Sequence, residues 1–239
     1  MNPIVRRFST SHAGLLLAIL SGAAISFVLN QTADIGELVP LSETLEMART
    51  SDGSPRLMSR SSTITAVLFT DYRCPACRGS DEALMRAVNE DGHVDLIVRP
   101  LTLFGEESDR AARVALAADK QGRFLAMHRA LMAASQIDAD GIVLAARHAG
   151  VNLEQLKADL VRDGPSIAKA LGRNRLAAFG LGFAGTPSYL IGRYRVMGAL
   201  SARQLRRLLR QARAHDGGLG SVTPRYRQRR LRCSVPSPT

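Results

Sequence analysis

The stretch Ile64-Thr65-Ala66-Val67-Leu68-Phe69 is followed, after four residues, by Cys74-Pro75-Ala76-Cys77. The first run has the length and β-branched content of a buried strand. Beyond the cysteines, Leu84 and Val88 recur at helical spacing and Gly92 supplies a helix stop. Val94-Asp95-Leu96-Ile97-Val98 then reads as a second strand, stopped by Pro100. Strand, helix, strand within about forty residues is a parallel βαβ unit, with the cysteine pair where strand turns into helix.

That position gives the pair its chemistry. Cys74 falls at the helix N-terminus, where unpaired backbone N–H groups and the positive end of the helix dipole favour a thiolate over a thiol. Only the thiolate is a nucleophile, so the position makes an ordinary cysteine reactive. Pro75 suits the first helical turn, where its missing N–H costs nothing. Cys77 lies one turn along, within reach of a mixed disulfide formed at Cys74, so the spacing supplies an attacking and a resolving thiol.

Two blander readings compete. A CxxC can be half of a zinc site, but zinc takes about four ligands and the third cysteine, Cys233, lies far away in the tail. His93, His128, His148 and His215 do not fall at ligand spacing, so no metal site is expected. A permanent staple over so short a loop would constrain little of the unfolded chain. Redox chemistry is the reading the flanking strand and helix favour.

Residues 106–181 read as an almost wholly helical block. Ala111, Val114, Ala115 and Ala118 form one stripe, and Phe124, Met127, His128 and Leu131 another, with His128 expected to pack there rather than bind a ligand. Asn152 to Gln155 resembles a capping box. Ser188 to Ile191 and Tyr194 to Met197 flank Gly192-Arg193 as a hairpin, and Ser201 to Gln204 opens a last helix carrying Leu205, Leu208 and Leu209. Just before the hairpin, Thr186-Pro187 fits a tight bend in which Pro187 cannot donate to the sheet and Thr186 can offer its backbone to an extended substrate beside Cys74. Residues 30–62 read as a spacer containing a short helix near Ser42 to Thr50, and residues 217–239 as a basic disordered tail.

The formal charge of +11 is concentrated at the ends. Arg6 and Arg7 lie in a first segment without acids, five arginines follow Asp216 where no acid remains, and residues 31–216 carry only +4. A nucleic-acid-reading face on the body is therefore not expected. Arg6 and Arg7 precede the charge-free apolar run Ala13 to Leu29, the pattern of a signal peptide or signal anchor over residues 1–29. The positive flank stays in the cytoplasm and the chain beyond Leu29 is sent across the membrane, with a tether through residues 13–29 if the signal is uncut.

Phe69-Thr70-Asp71-Tyr72-Arg73-Cys74-Pro75-Ala76-Cys77 resembles the active-site strand and motif of bacterial DsbA-like thiol–disulfide oxidoreductases. The similarity continues through Ala111 to Ala118, Gln121 to Phe124 and His128 to Met132, and into Gly185-Thr186-Pro187-Ser188-Tyr189-Leu190-Ile191-Gly192. The resemblance implies an α/β thioredoxin fold over residues 63–216 with an inserted all-helical subdomain at about 106–181. It further implies a catalytic disulfide at Cys74 and Cys77, a cis-proline at Pro187 beside Thr186 for substrate binding, and no cofactor. Two departures stand out. Leu68 occupies the place where many relatives carry a buried Glu that moves protons for the resolving thiol, and Ala76 replaces their usual aromatic or His. Asp71 lies nearer the motif.

The function expected is disulfide exchange with cysteine-containing exported proteins in the periplasm or another extracytoplasmic space, as oxidase or isomerase, with a membrane or soluble redox partner. The alternatives are a thiol reductant in the same compartment, serving cytochrome maturation or metal resistance, and a non-enzymatic copper-binding or holdase protein.

Overall fold

The computed structural model describes residues 34–50 and 53–218. Their centre is a six-stranded sheet built on β3 (Ile64–Thr70), which pairs in parallel with β4 (Val94–Pro100) and antiparallel with β5 (Ser188–Ile191). β5 turns back into β6 (Tyr194–Met197). Helix α2 (Pro75–Asp91) makes the parallel crossover, and Gly92 ends it in the left-handed conformation. The parallel βαβ unit expected from the strand–CxxC–helix order and the α/β thioredoxin fold implied by the resemblance are both observed.

Side-chain alternation on β3 divides the interior in two. Ile64, Ala66 and Leu68 join Val94, Leu96, Val98, Tyr189 and Ile191 on one face, with α2, the last helix and the insertion above them. Val67 and Phe69 join Ile97 and Leu190 on the other. A central strand with both faces apolar needs cover on both.

Part of the second cover comes from the segment read as a spacer, and that reading is corrected. Residues 34–62 supply both sheet edges and a helix: β1 (Glu37–Leu38) against β6, α1 (Glu43–Arg49), and β2 (Arg56–Leu57) against β4, giving the order β1-β6-β5-β3-β4-β2. Leu45 and Ala48 of α1 are buried with Val67, Phe69 and Ile97. Ser42 caps α1 by accepting from Leu45 N, as Ser-to-helix junctions do. Gly36 has φ +81°, and a Cβ there would strike Val196 and the Arg195 carbonyl, so the close approach of β1 to β6 requires glycine.

Arg99, on β4, locks this segment down. It is 1% exposed. Its Nε donates to Ala48 O at 2.9 Å and its Nη2 to Met47 O at 2.8 Å and to Thr50 O, serving the carbonyls at the end of α1. Its Nη1 donates to Asn174 Oδ1 at 2.7 Å, and Ser54 Oγ donates to the same oxygen at 2.9 Å.

Five helices occupy the expected helical block: α3 (Glu106–Asp119), α4 (Phe124–Ala133), α5 (Ala139–His148), α6 (Leu153–Arg162) and α7 (Gly164–Gly180). Asn152 caps α6 through Gln155 N at 3.0 Å. The capping pair Ser201–Gln204 forms in both directions, Gln204 N to Ser201 Oγ and Ser201 N to Gln204 Oε1, and opens α8 (Ala202–Gly218). No helix among the described residues is long and apolar enough to cross a membrane. The expected export signal, most of the basic tail and Cys233 lie outside the described residues.

Candidate active site

Cys74 is the N-cap of α2 and Pro75 its first helical residue. The Cys77 N–H donates to Cys74 Sγ at 3.4 Å, so the sulfur takes one of the free amides that a helix start provides. Cys74 Sγ donates in turn to Thr186 O at 3.2 Å, across 112 residues of sequence. The Thr186–Pro187 peptide bond is cis. Gly198 N donates to Pro187 O at 2.8 Å and Ser188 Oγ to Gly185 O at 2.7 Å, which fixes the bend against the hairpin. The structure therefore brings together Cys74, Cys77, Thr186 and Pro187, the four residues singled out in the sequence.

Both cysteines are free thiols, 3% and 2% exposed. Two thiols one helical turn apart can close into a disulfide or hold a soft metal. Among the described residues, no group of three or more His, Cys, Asp or Glu side chains is placed to hold a metal ion.

Burial pushes the Cys77 thiol up to about 12, against an opposing contribution from the Asp71 amide, which donates to its sulfur at 3.5 Å. Cys77 is therefore a neutral thiol at neutral pH. A group whose folded pKa is raised lends stability that is intact below the unfolded value, about 8.5 for a free cysteine, and is lost as pH rises through the folded value. Reduced wild type should thus lose stability relative to reduced Cys77→Ala between about pH 8.5 and about 12. Denaturant melts of the two proteins across that range read the difference, in which the other titrating groups cancel. A constant difference would show that Cys77 ionises as an ordinary thiol.

Asp71 is held by a set of backbone and hydroxyl donors. It is buried, and its two carboxylate oxygens take four donors: Arg73 N at 2.8 Å and Ser108 Oγ at 2.7 Å on Oδ1, Leu103 N at 2.7 Å and Phe104 N at 3.3 Å on Oδ2. It ties the cysteine loop to the start of α3. Leu68, in the position of the relatives' Glu, is buried in the apolar layer opposite Tyr189.

Sequence reading placed His128 on an apolar stripe without its partners. It is sealed from solvent between Tyr72, two residues before Cys74, and Asp81, on α2. A polar residue in an apolar stripe signals that partners must exist. Their identity, 56 and 47 positions away, was not legible.

Residues 65–210 match the model of the DSBA-like thioredoxin domain family. Among solved structures, a thioredoxin-like oxidoreductase from Silicibacter pomeroyi is 34% identical with a TM-score of 0.67, covering 71% of this chain and 97% of its own. A periplasmic thioredoxin-like protein from Salmonella enterica is 28% identical with a TM-score of 0.63, covering 73% and 99%. The catalytic domain of Proteus mirabilis ScsC is 28% identical with a TM-score of 0.63, covering 71% and 94%. No curated protein matches. The family match spans more than half of the sequence and agrees with the fold and the thiol pair, so this chain belongs to the DSBA-like thioredoxin domain family, whose chemistry is thiol–disulfide exchange.

Proposed function

We propose that the protein is an extracytoplasmic oxidoreductase that exchanges disulfides with exported proteins, Cys74 being the attacking thiol and Cys77 the resolving one. The observation that carries this reading is Cys74 Sγ capping α2 while touching Thr186 O beside cis-Pro187. A client thiolate attacks Cys74 in the disulfide form. The client–Cys74 disulfide forms as the Cys74–Cys77 bond breaks, and the released Cys77 takes up a proton, as its high pKa demands. A second client thiolate then attacks the client sulfur, forming the client disulfide and releasing Cys74. Two electrons have passed to the pair, and a membrane or soluble redox partner removes them.

Thr186 and Pro187 form the wall for an extended client, Thr186 through its backbone. Leu103 and Phe104, each about half exposed on the loop bound by Asp71, offer an apolar rim suited to unfolded chain. Export is supported by the apolar run after Arg6 and Arg7 and by the periplasmic Salmonella relative. The favoured direction is that of an oxidase or isomerase.

Full-length Cys77→Ser, which keeps the attacking thiol and loses the resolving one, should accumulate disulfides between Cys74 and clients in an oxidising compartment. Mass spectrometry of the trapped species identifies the linked cysteine. Trapping that requires Cys233→Ser instead would move the resolving role to Cys233. An equilibrium with glutathione in which the pair stays disulfide-linked under strongly reducing conditions would favour a reductant.

A further inference from the structure

Three buried polar side chains in a row join the cysteine loop to the helical insertion. The Tyr72 hydroxyl lies 3.2 Å from His128 Nδ1, and His128 Nε2 lies 2.9 Å from Asp81 Oδ1. Tyr72 and His128 are 1% and 0% exposed, and Asp81 is 8%. One placement of protons makes both contacts hydrogen bonds: the phenol donates to Nδ1, and Nε2–H donates to the Asp81 carboxylate. Burial first, then the charges of Asp81 and Asp71, hold the Tyr72 phenol well above its ordinary range, so it remains a donor. Phe124 stacks on the imidazole and Tyr72 meets it edge-on, each with ring centroids 5.6 Å apart, which fixes the ring's plane.

The three residues come from the parts that must stay in register for exchange. Tyr72 is on the loop before Cys74, Asp81 is one turn beyond Cys77 on α2, and His128 is on α4. The loop that Tyr72 anchors presents the Asp71 N–H to Cys77 Sγ and the Asp71 carbonyl to Cys74 N, the latter at 3.1 Å. On its other side the Asp71 carboxylate grips residues 103–108.

We propose that His128 is a positioning residue for disulfide exchange: by holding Tyr72 and Asp81 it keeps the Asp71 amide on the Cys77 sulfur and so sets the balance between the dithiol and the disulfide. The proposal rests on the reading of Cys74 and Cys77 as the redox pair. A thiol or thiolate sulfur gains more from that amide than a sulfur bonded to a second sulfur, so a loosened loop penalises the reduced form more.

The test uses full-length wild type, Tyr72→Phe, His128→Asn and His128→Gln equilibrated in glutathione buffers, with the disulfide fraction read by alkylation and mass spectrometry. Melting of both redox forms is recorded beside it. Tyr72→Phe removes one oxygen and should shift the equilibrium towards the disulfide by about fivefold, the size of one net hydrogen bond. Its reduced form should lose more stability than its oxidised form. The carboxamide of His128→Asn stands where Nδ1 was, keeps the Tyr72 contact and should stay nearer the wild-type equilibrium. The longer His128→Gln reaches only the Nε2 position and should follow Tyr72→Phe. An unshifted equilibrium with equal loss of stability in both redox forms, or the reverse order of the two His128 variants, overturns the proposal. A wild type that forms no Cys74–Cys77 disulfide at any poise overturns the reading of the pair and the positioning role with it. A wild type that titrates alongside unaltered variants overturns the positioning role alone.

Discussion

Cys74→Ser should abolish disulfide exchange while leaving the fold intact. Serine keeps the N-cap function, since a hydroxyl oxygen accepts the Cys77 N–H that Cys74 Sγ now takes, and Ser is among the preferred capping residues. It can also donate to Thr186 O in place of the thiol. What it lacks is an accessible anion at neutral pH and the capacity to form a disulfide. Activity and stability therefore separate at this position. The variant should melt close to the reduced wild type and show only background transfer to a dithiol peptide. Residual exchange well above background would place the reacting thiol elsewhere in the chain.

The largest effect on stability is expected at Arg99. Replacing it by Met keeps much of the apolar stem but strips donors from Ala48 O, Met47 O, Thr50 O and Asn174 Oδ1, all served by a residue only 1% exposed. Asn174 Oδ1 keeps Ser54 Oγ and Met47 O keeps Thr50 Oγ1, so the cost of about 1–3 kcal/mol per unmet acceptor falls on Ala48 O and Thr50 O, and a total loss of about 2–4 kcal/mol is expected. The damage should be directional. Helix α1 and Ser54 are attached through this guanidinium, and α1 covers Val67, Phe69 and Ile97, so hydrogen exchange should rise first in α1. Arg99→Lys should recover little, because one ammonium cannot span carbonyls and amide at once. A change below about 1 kcal/mol would show that α1 is held mainly by its apolar contacts.

The contrast between β3 and Arg99 shows what was legible in the sequence. β3, the cysteine turn, α2 and the hairpin β5–β6 each carry their signal within a few consecutive residues, as run length, alternation or a cap, and they are found where the sequence places them. β1 and β2 are two residues each, too short for any period, and exist because of partners: Glu37 pairs with Arg195 across 158 positions. Residues 30–62 consequently read as a spacer. A stricter inference was available, since Val67, Leu68 and Phe69 are successive apolar residues on a central strand and demand cover on both faces. In the sequence Arg99 stands between the strand ending at Val98 and its stop at Pro100, and only the facing carbonyls of α1 reveal a buried cation. At the site, the cysteine pair was legible because its chemistry depends on two-residue spacing at a helix start. Asp71 was visible but its four donors were not, because Leu103, Phe104 and Ser108 reach it through the chain's return after β4.

The central claim is that one disulfide moves between Cys74–Cys77 and a client. Its most direct measurement is the stoichiometry of transfer from oxidised full-length protein to a reduced, unfolded polypeptide bearing two cysteines. Thiols on both molecules are counted by alkylation and mass spectrometry as the reaction proceeds. Each client disulfide formed should be matched by one Cys74 and one Cys77 becoming alkylatable, with Cys233 unchanged and no transfer from Cys74→Ser. Client oxidation without matching reduction of Cys74 and Cys77, or transfer that survives Cys74→Ser, would contradict the claim.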